Sequence, residues 1–283
     1  MVSPLVILCS FMASSTATNT TNDTQLKSAP SLFPLVGLIG GLGPASSAAF
    51  TQRMVQAAHN AGATKDHEHV PFILFSNPRL PNARLAVLQQ GGSPLLSYVA
   101  TFKALASAGC THVGIINNTG HGFARAAAHQ SDLPFLDMID CAAQHAVHLA
   151  STQAAPDALR PAAELASTGE HCPIKIGLLA TDATVQMGFY HSAVQAAACG
   201  AAAKAGGSPF NAEVLSPSQR QLLAIQRCID AAKAGTAGQE HSDTLLEVAS
   251  SLQARGCSVV IAGCTELPLM LPWAGPLWTP WPA

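Results

Sequence analysis

Short apolar runs alternate with longer amphipathic stretches along most of this chain. The apolar runs cover residues 35–39, 70–75, 113–116, 174–179 and 257–262. Runs of this length without polar alternation are typical of parallel strands that are buried on both faces. Each run ends within a few residues in glycine, proline or a polar cluster, which indicates a turn or loop. The pattern therefore predicts buried strands that are connected by helices.

The stretches that follow these runs have helical character. Pro44 suits the first position of one helix, and Gly109 suits the end of another. The predicted helices cover residues 45–61, 94–108, 123–129, 217–232 and 242–255, together with a helix that follows residue 182 and runs to about residue 198. The Ala/Gly-rich residues 154–168 and 196–207 lack amphipathic spacing, and we interpret them as surface insertions.

The strand–helix unit occurs in both halves of the chain. This predicts an α/β fold with two similar domains, each a parallel sheet flanked by helices, and an active site in the cleft between them. The predicted domains are an N-terminal extension (residues 1–30), a first α/β domain (31–140), a second α/β domain with insertions (141–272) and a short tail (273–283). Ligands of such folds gather at the carboxyl ends of the strands, where the polar clusters fall.

Composition narrows the function to small-molecule chemistry. Of the 283 residues, 48% are hydrophobic and 11% are charged, so a sizeable core can be buried. The formal net charge of −2 gives no electrostatic argument for binding nucleic acid or an anionic membrane. The apolar runs are far shorter than the ~20 residues that span a bilayer. The expected partner is a small carboxylate substrate.

Residues 1–30 differ from the rest of the chain. A short apolar stretch is followed by a run rich in serine, threonine and asparagine. This is typical of a targeting segment, although no basic residue precedes the apolar part, and a disordered extension explains it equally well. An intracellular, soluble protein is favoured, and the compartment stays open.

The cysteines are scattered and include no C-x-x-C pair, which favours free thiols in a reducing compartment over a zinc or disulfide framework. They are Cys9, Cys110, Cys141, Cys172, Cys199, Cys228, Cys257 and Cys264. His67 and His69 flank Glu68, but no third ligand stands at metal-site spacing, so no metal is predicted.

Polar motifs follow the predicted strands in a fixed order. They are Gly40-Gly41-Leu42-Gly43-Pro44, Ser76-Asn77-Pro78-Arg79, Asn118-Thr119-Gly120-His121 and Gly263-Cys264-Thr265-Glu266, with Thr181 at a further strand end. Together these motifs resemble the aspartate/glutamate racemase superfamily, and the N-terminal extension and the wide motif spacing resemble its algal dimethylsulfoniopropionate lyases most.

This resemblance implies a cofactor-independent enzyme that uses two cysteines on opposite sides of its substrate, and a homo-oligomer. Cys264 matches one of the two cysteines, whereas Asn117 stands at the position of the other. The chain also departs from the family in carrying Ala83 and Arg84 where an arginine is expected, and in ending without the closing helix. The expected substrate-binding residues are Gly41, Asn77, Arg79, Asn118, Thr119, Thr181, Thr265 and Glu266.

The loss of one cysteine restricts the chemistry. Racemisation takes a proton from one face of a carbon and returns one to the other, and an amide such as Asn117 exchanges no proton near neutral pH. A β-elimination, or a decarboxylation followed by protonation, needs a single thiol. We therefore predict a lyase that releases dimethyl sulfide and acrylate. The alternatives are an amino-acid racemase and a catalytically impaired paralogue that binds a carboxylate.

Three further roles are assigned from position. Cys264 precedes a predicted helix start, where backbone N–H groups and the helix dipole would lower the pKa of its thiol. Arg79 and Arg84 are either carboxylate clamps or loop charges. His121 either contacts substrate or caps the helix that follows it.

Overall fold

The computed structural model describes residues 34–153, 174–204, 211–271 and 278–279. All of the strand pairs within these residues are parallel. The strands are β1 Val36–Gly40, β2 Phe72–Ser76, β3 His112–Ile115, β4 Ile174–Leu179, β5 Ala212–Leu215, β6 Val259–Ala262 and β7 Trp278–Thr279. The α-helices are α1 Pro44–Asn60, α2 Ala83–Val87, α3 Leu95–Ser107, α4 His121–His129, α5 Met138–Gln153, α6 Asp182–Met187, α7 Phe189–Lys204, α8 Gln219–Ala234 and α9 Gln239–Ala254.

The strands form two separate sheets, and each sheet has a central strand that is the first of its sheet in the chain. The order is β2-β1-β3 in the first sheet and β5-β4-β6-β7 in the second. Every residue of β1 is buried, which explains why its sequence contains no polar side chain. In each sheet the chain first adds a strand on one side of the central strand (β2 beside β1, β5 beside β4) and then a strand on its other side (β3 and β6). Each sheet therefore has a topological switch point at its central strand.

Helices cover the sheets and complete two hydrophobic cores. Tyr98 and Phe102 of α3 are fully buried against the first sheet, and Ile225 and Ile229 of α8 are fully buried against the second. Helix α5 packs against α7, β4 and β6, and it therefore belongs to the second core. We call the parts built on the two sheets the first lobe (residues 34–137) and the second lobe (the described residues from 138 onward). The predicted α/β fold with two parallel sheets flanked by helices is confirmed.

Several local predictions differ from the structure, and the short helix α2 was not predicted either. Helix α5 and strand β5 were not predicted, and the helix expected to run on from residue 182 is broken at Gly188, where φ is +67°. The interpretation of residues 196–207 as an insertion is wrong as far as residue 204, because α7 continues to Lys204 and its Ala198 is fully buried. Residues 1–30 and 154–168 and most of the C-terminal tail lie outside the described residues.

Within the part of the chain that the structure describes, no helix is both long enough and apolar enough to cross a membrane.

Candidate active site

Loops from both lobes meet at the carboxyl ends of the central strands. The loop of residues 41–43, here called the glycine loop, follows β1, and residues 117–120 follow β3. Thr181 follows β4, and Cys264 follows β6. Cross-lobe hydrogen bonds join these loops directly, since Thr119 contacts Thr181 and Asn118 contacts Tyr190 of α7. The predicted cluster is therefore brought together at the two switch points, which is where ligands bind in folds of this kind.

Cys264 lies at the inner end of β6 and is 7% exposed. Its thiol donates a hydrogen bond to Oε2 of Glu266, with an Sγ–O distance of 3.0 Å. Burial, followed by the neighbouring Glu266 carboxylate, raises the pKa of this thiol well above its usual value. The prediction of a lowered pKa is therefore wrong for this state of the molecule. The physical reason is that only a three-residue 3-10 helix, Leu267–Leu269, follows the cysteine, so its dipole is small and burial, together with the nearby carboxylate, outweighs it.

The two oxygens of the buried Glu266 carboxylate have different surroundings. Oε2 accepts hydrogen bonds from Cys264 and from the Thr265 hydroxyl, which is 3.1 Å away. Oε1 has no hydrogen-bond partner among the residues that the structure describes, and the ammonium group of Lys233 in α8 lies 3.9 Å from it. Glu266 and Thr265, both expected to bind substrate, thus contact each other in the structure, and Lys233 adds a cation that no motif indicated.

The glycine loop allows close approach of the backbone to this carboxylate. Gly43 has φ +127°, and a methyl group at this position would collide with Oε1 of Glu266. Gly41 has φ +84°, and a side chain there would collide with the backbone of Asn77. Both glycines are therefore required by geometry, and the Asn77 loop packs beneath the Gly41 backbone.

Asn117 is half-buried, and both ends of its side-chain amide are engaged. Its Nδ2 donates to the carbonyl of Leu42 at 3.2 Å, and its Oδ1 accepts from the N–H of Gly120 at 2.6 Å. The side chain therefore ties the loop after β3 to the glycine loop. Since that glycine loop also touches Glu266 through Gly43, Asn117 and Cys264 border the same cluster of loops from opposite lobes.

Asn118 offers an unused donor inside the site. The residue is 2% exposed, and its Oδ1 accepts a hydrogen bond of 2.6 Å from the Tyr190 hydroxyl. Its Nδ2 has no hydrogen-bond partner within the described part of the chain. A buried amide donor without a partner costs free energy, so this group is suited to a substrate oxygen.

Three threonine hydroxyls form a closed ring between the lobes. Oγ1 of Thr119 lies 3.1 Å from that of Thr181 and 2.9 Å from that of Thr184, and the latter two are 2.9 Å apart. Thr181 also caps the N-terminus of α6 by accepting from the N–H of Thr184. Thr119 and Thr181 are thus paired with each other in this structure, and they hold the lobes together.

The two arginines play different roles. Arg84 forms a two-pronged ion pair with Asp182 across the lobes, with N–O distances of 2.8 and 2.9 Å. Burial raises the pKa of Asp182, but hydrogen bonds from Arg84 and from backbone N–H groups outweigh it, so the pKa lies below its ordinary value. Arg79 is exposed, and its backbone N–H donates to Oδ1 of Asn77.

His121 is fully buried and belongs to the scaffold. Its Nδ1 lies 3.3 Å from the carbonyl oxygen of Asn117, and its Nε2 lies 3.3 Å from the backbone nitrogen of Met138 and 3.3 Å from Oδ1 of Asp137. The ring therefore anchors the start of α5, and Gly120 rather than His121 occupies the cap position of α4.

The remaining described cysteines lie away from these loops or are packed in the cores. Cys110, Cys228 and Cys257 are buried among apolar side chains, and Cys199 is exposed on α7. Among the described residues, no three His, Cys, Asp or Glu side chains are grouped so that they could hold a metal ion.

Sequence reasoning missed the second-lobe residues that complete the site. Tyr190, Lys233 and Asp182 stand in helices or at their starts, and no motif marks them. Asp182 directly follows Thr181, and its position after a strand end was the one available signal.

Comparisons with known proteins bear on the fold. Residues 39–155 match the model of the family described as Asp/Glu/Hydantoin racemase. An aspartate racemase of Picrophilus torridus is 21% identical, with 84% of each chain covered and a TM-score of 0.60. An aspartate racemase homologue of Pyrococcus horikoshii OT3 is 19% identical, with 87% of this chain and 91% of that chain covered and a TM-score of 0.57. The chain therefore has the fold of these proteins.

Proposed function

We propose that this chain is an enzyme of the Asp/Glu racemase superfamily that moves a proton at the carbon next to the carboxylate of a small substrate. The match of residues 39–155 to the Asp/Glu/Hydantoin racemase family and the shared fold support this assignment. The names of the structural neighbours make an acidic amino acid the first substrate class to test.

The observation that carries the proposal is the Cys264–Glu266 pair at the end of β6. A thiol that is held by hydrogen bonding beside a switch point can give or take one proton. The charge that develops on the substrate carboxylate when its α-proton leaves needs fixed donors, and the unpartnered Nδ2 of Asn118 is such a donor. Gly41, Asn77 and Arg79 are also proposed to contact the substrate.

Asn117 restricts the proposed proton transfer to one face of the substrate carbon. Its amide is bound to Leu42 and Gly120, and an amide carries no exchangeable proton of useful acidity. Proton removal and return would then take place on the Cys264 side. An amino acid would exchange its α-hydrogen with retention of configuration.

The same observation favours β-elimination as a second candidate. In dimethylsulfoniopropionate the base takes the proton next to the carboxylate, the C–S bond breaks, and its electron pair leaves on dimethyl sulfide while acrylate forms. One base is sufficient for this reaction. The Glu266 carboxylate, which accepts its hydrogen bonds from Cys264 and Thr265 through Oε2, would also attract the sulfonium cation.

Hydrogen exchange in deuterium oxide tests the first candidate. We expect the purified protein to incorporate deuterium at the α-carbon of one enantiomer of aspartate or glutamate, as followed by NMR. Cys264→Ser should lower this rate by at least about 100-fold, the lower bound for a general acid–base group. Cys257→Ser, which changes a buried thiol outside the site, is the matched control and should exchange normally.

Headspace analysis over dimethylsulfoniopropionate tests the second candidate. Dimethyl sulfide that depends on Cys264 would establish the lyase. Binding of these carboxylates without exchange or elimination would instead indicate an impaired paralogue and would contradict the proposed proton transfer.

A further inference from the structure

The guanidinium group of Arg84 is already bound to a carboxylate of the protein itself, that of Asp182. Its Nε and Nη2 donate to the two carboxylate oxygens at 2.8 and 2.9 Å, which is the geometry in which an arginine would bind a carboxylate of a substrate. We infer that Asp182 is a specificity-determining residue, which holds Arg84 and so makes the site bind a substrate with one carboxylate in preference to a substrate with two. This inference rests on the proposed function and ranks the substrates within it.

The ion pair lies beside the loops that are proposed to hold the substrate. Asp182 directly follows Thr181, whose Oγ1 lies 3.1 Å from that of Thr119. Thr119 in turn directly follows Asn118, whose Nδ2 is the proposed donor to the first carboxylate. Arg84 reaches the same place from the first lobe. One contact between the lobes and two steps along the chain therefore separate the donor for a first carboxylate from the cation that would receive a second.

Asp182 is held in place by more than its arginine. Its Oδ1 accepts a hydrogen bond of 2.7 Å from the N–H of Ala183, in the first turn of α6. The pKa of Asp182 lies below its ordinary value, so its carboxylate is charged at neutral pH. A competitor that is attached to the protein acts at a high effective concentration, on the order of millimolar even for a flexible attachment. An acidic amino acid would have to displace it and would therefore require a higher concentration to bind.

The other cations of the site give a second carboxylate little further attraction. Lys233 lies 3.9 Å from Oε1 of Glu266 and thus also faces a carboxylate. Arg79 is exposed, so water and salt weaken its attraction for an anion. Among the described side chains, the two ion-paired cations at these loops are therefore balanced by their own carboxylates. A substrate with one carboxylate and an uncharged or cationic remainder needs no additional positive charge.

The binding of butyrate and succinate tests this assignment. The two compounds have carbon chains of equal length and differ by one carboxylate, and titration calorimetry at neutral pH and low salt measures their affinities without any reaction. We expect the wild type to bind butyrate at least as tightly as succinate. Asp182→Asn should bind succinate at least about tenfold more tightly than the wild type does, because the released guanidinium gains charged hydrogen bonds, whereas its affinity for butyrate should not change.

Two further variants are the controls. Asp182→Asn combined with Arg84→Met should lose the gain for succinate, because the cation that receives the second carboxylate is gone. Asp243→Asn removes an equal charge from an exposed position of α9 and should bind both compounds as the wild type does. Unchanged binding of butyrate by Asp182→Asn would show that this variant is folded and that its site is intact.

Several results would overturn the inference. The wild type could bind succinate more tightly than butyrate, or Asp182→Asn could show no gain for succinate. An equal gain for both compounds would indicate looser lobes instead of a released guanidinium, and a gain that persists without Arg84 would place the receiving cation elsewhere. A wild type that exchanges no α-proton would refute the proposed function but would leave these binding results in force, whereas a wild type that binds neither compound would overturn both.

Discussion

At the scale of single residues, Asn117 decides what the site can do. Its amide fills the position that faces the glycine loop and satisfies the N–H of Gly120. A thiol placed there would lose both hydrogen bonds but would add a second proton carrier on the side opposite Cys264. In the proposed mechanism Asn117 therefore transfers no proton, but its two hydrogen bonds hold the loop after β3 to the glycine loop.

We predict that Asn117→Cys introduces inversion of configuration. The wild type should exchange the α-hydrogen of a single enantiomer, whereas the variant should also form the other enantiomer, as measured by chiral chromatography. Loss of the two amide hydrogen bonds should lower the free energy of unfolding by about 1–3 kcal/mol. Asn117→Ser, which brings no thiol, is the matched control. Inversion that is equally fast in Asn117→Ser would contradict this prediction.

Much of the site could be predicted at this scale, because glycines and short polar motifs mark strand ends. Gly41, Asn118 and Cys264 all lie where the motifs placed them. The resting state of the thiol could not be predicted, since it depends on a carboxylate whose side chain turns back toward the sulfur. Lys233 could not be predicted either, because its approach to Glu266 is a product of how α8 packs.

At the scale of elements, the buried strands were the most predictable part. Runs made up mostly of apolar residues located β1, β2, β3, β4 and β6 to within about two residues. Helix α5 escaped prediction because its buried face consists largely of small residues, including Ala143, Ala146 and Ala150, which give little contrast with the exposed face. Strand β5 has only four residues, and its exposed Glu213 interrupts the apolar run.

The junction between α4 and α5 depends on one carboxylate. Asp137 is paired with Arg125 of α4, lies 3.3 Å from Nε2 of His121, and caps α5 by accepting from the N–H groups of Ile139 and Asp140. Burial raises its pKa, but the hydrogen bonds from His121 and Arg125 outweigh this and hold the pKa well below its ordinary value.

We predict that Asp137→Asn lowers the free energy of unfolding by about 2 kcal/mol at neutral pH, because charged hydrogen bonds are lost. Since the folded-state pKa is depressed, this stabilisation is present above the ordinary pKa of an aspartate and is lost as the pH falls toward the folded-state value. Urea unfolding at neutral pH and near pH 3 should therefore show the difference between wild type and variant shrinking in acid.

Asp140→Asn is the control for this experiment. Its carboxylate is 53% exposed, and Arg125 is its one ion-pair partner among the described residues. It should cost no more than about 1 kcal/mol. A larger cost for Asp140→Asn than for Asp137→Asn would refute the assigned role of Asp137.

At the scale of the whole molecule, the lobes are joined by contacts of two kinds. The Arg84–Asp182 pair lies near the rim, where both side chains are 29% exposed. The ring of Thr119, Thr181 and Thr184 lies inside, and all three residues are buried. The sequence predicted that the lobes face each other, but it did not indicate these contacts, because each depends on residues that are far apart in the chain.

We predict that Arg84→Met weakens the contact between the lobes at the Arg84–Asp182 pair. Amide hydrogen exchange should accelerate in α2 and α6, while the free energy of unfolding falls by no more than about 1 kcal/mol, as expected for a partly exposed ion pair. Added salt should bring the wild type closer to the variant. Arg79→Met, which removes an exposed cation outside this pair, should leave exchange in α6 unchanged.

The threonine ring behaves differently, because none of its members carries a charge. Each of the three hydroxyls can donate one hydrogen bond and accept another, and the direction of donation around the ring can reverse. These hydrogen bonds therefore depend on neither ionic strength nor pH. High ionic strength would therefore weaken the Arg84–Asp182 pair and leave the hydrogen bonds of the threonine ring in place.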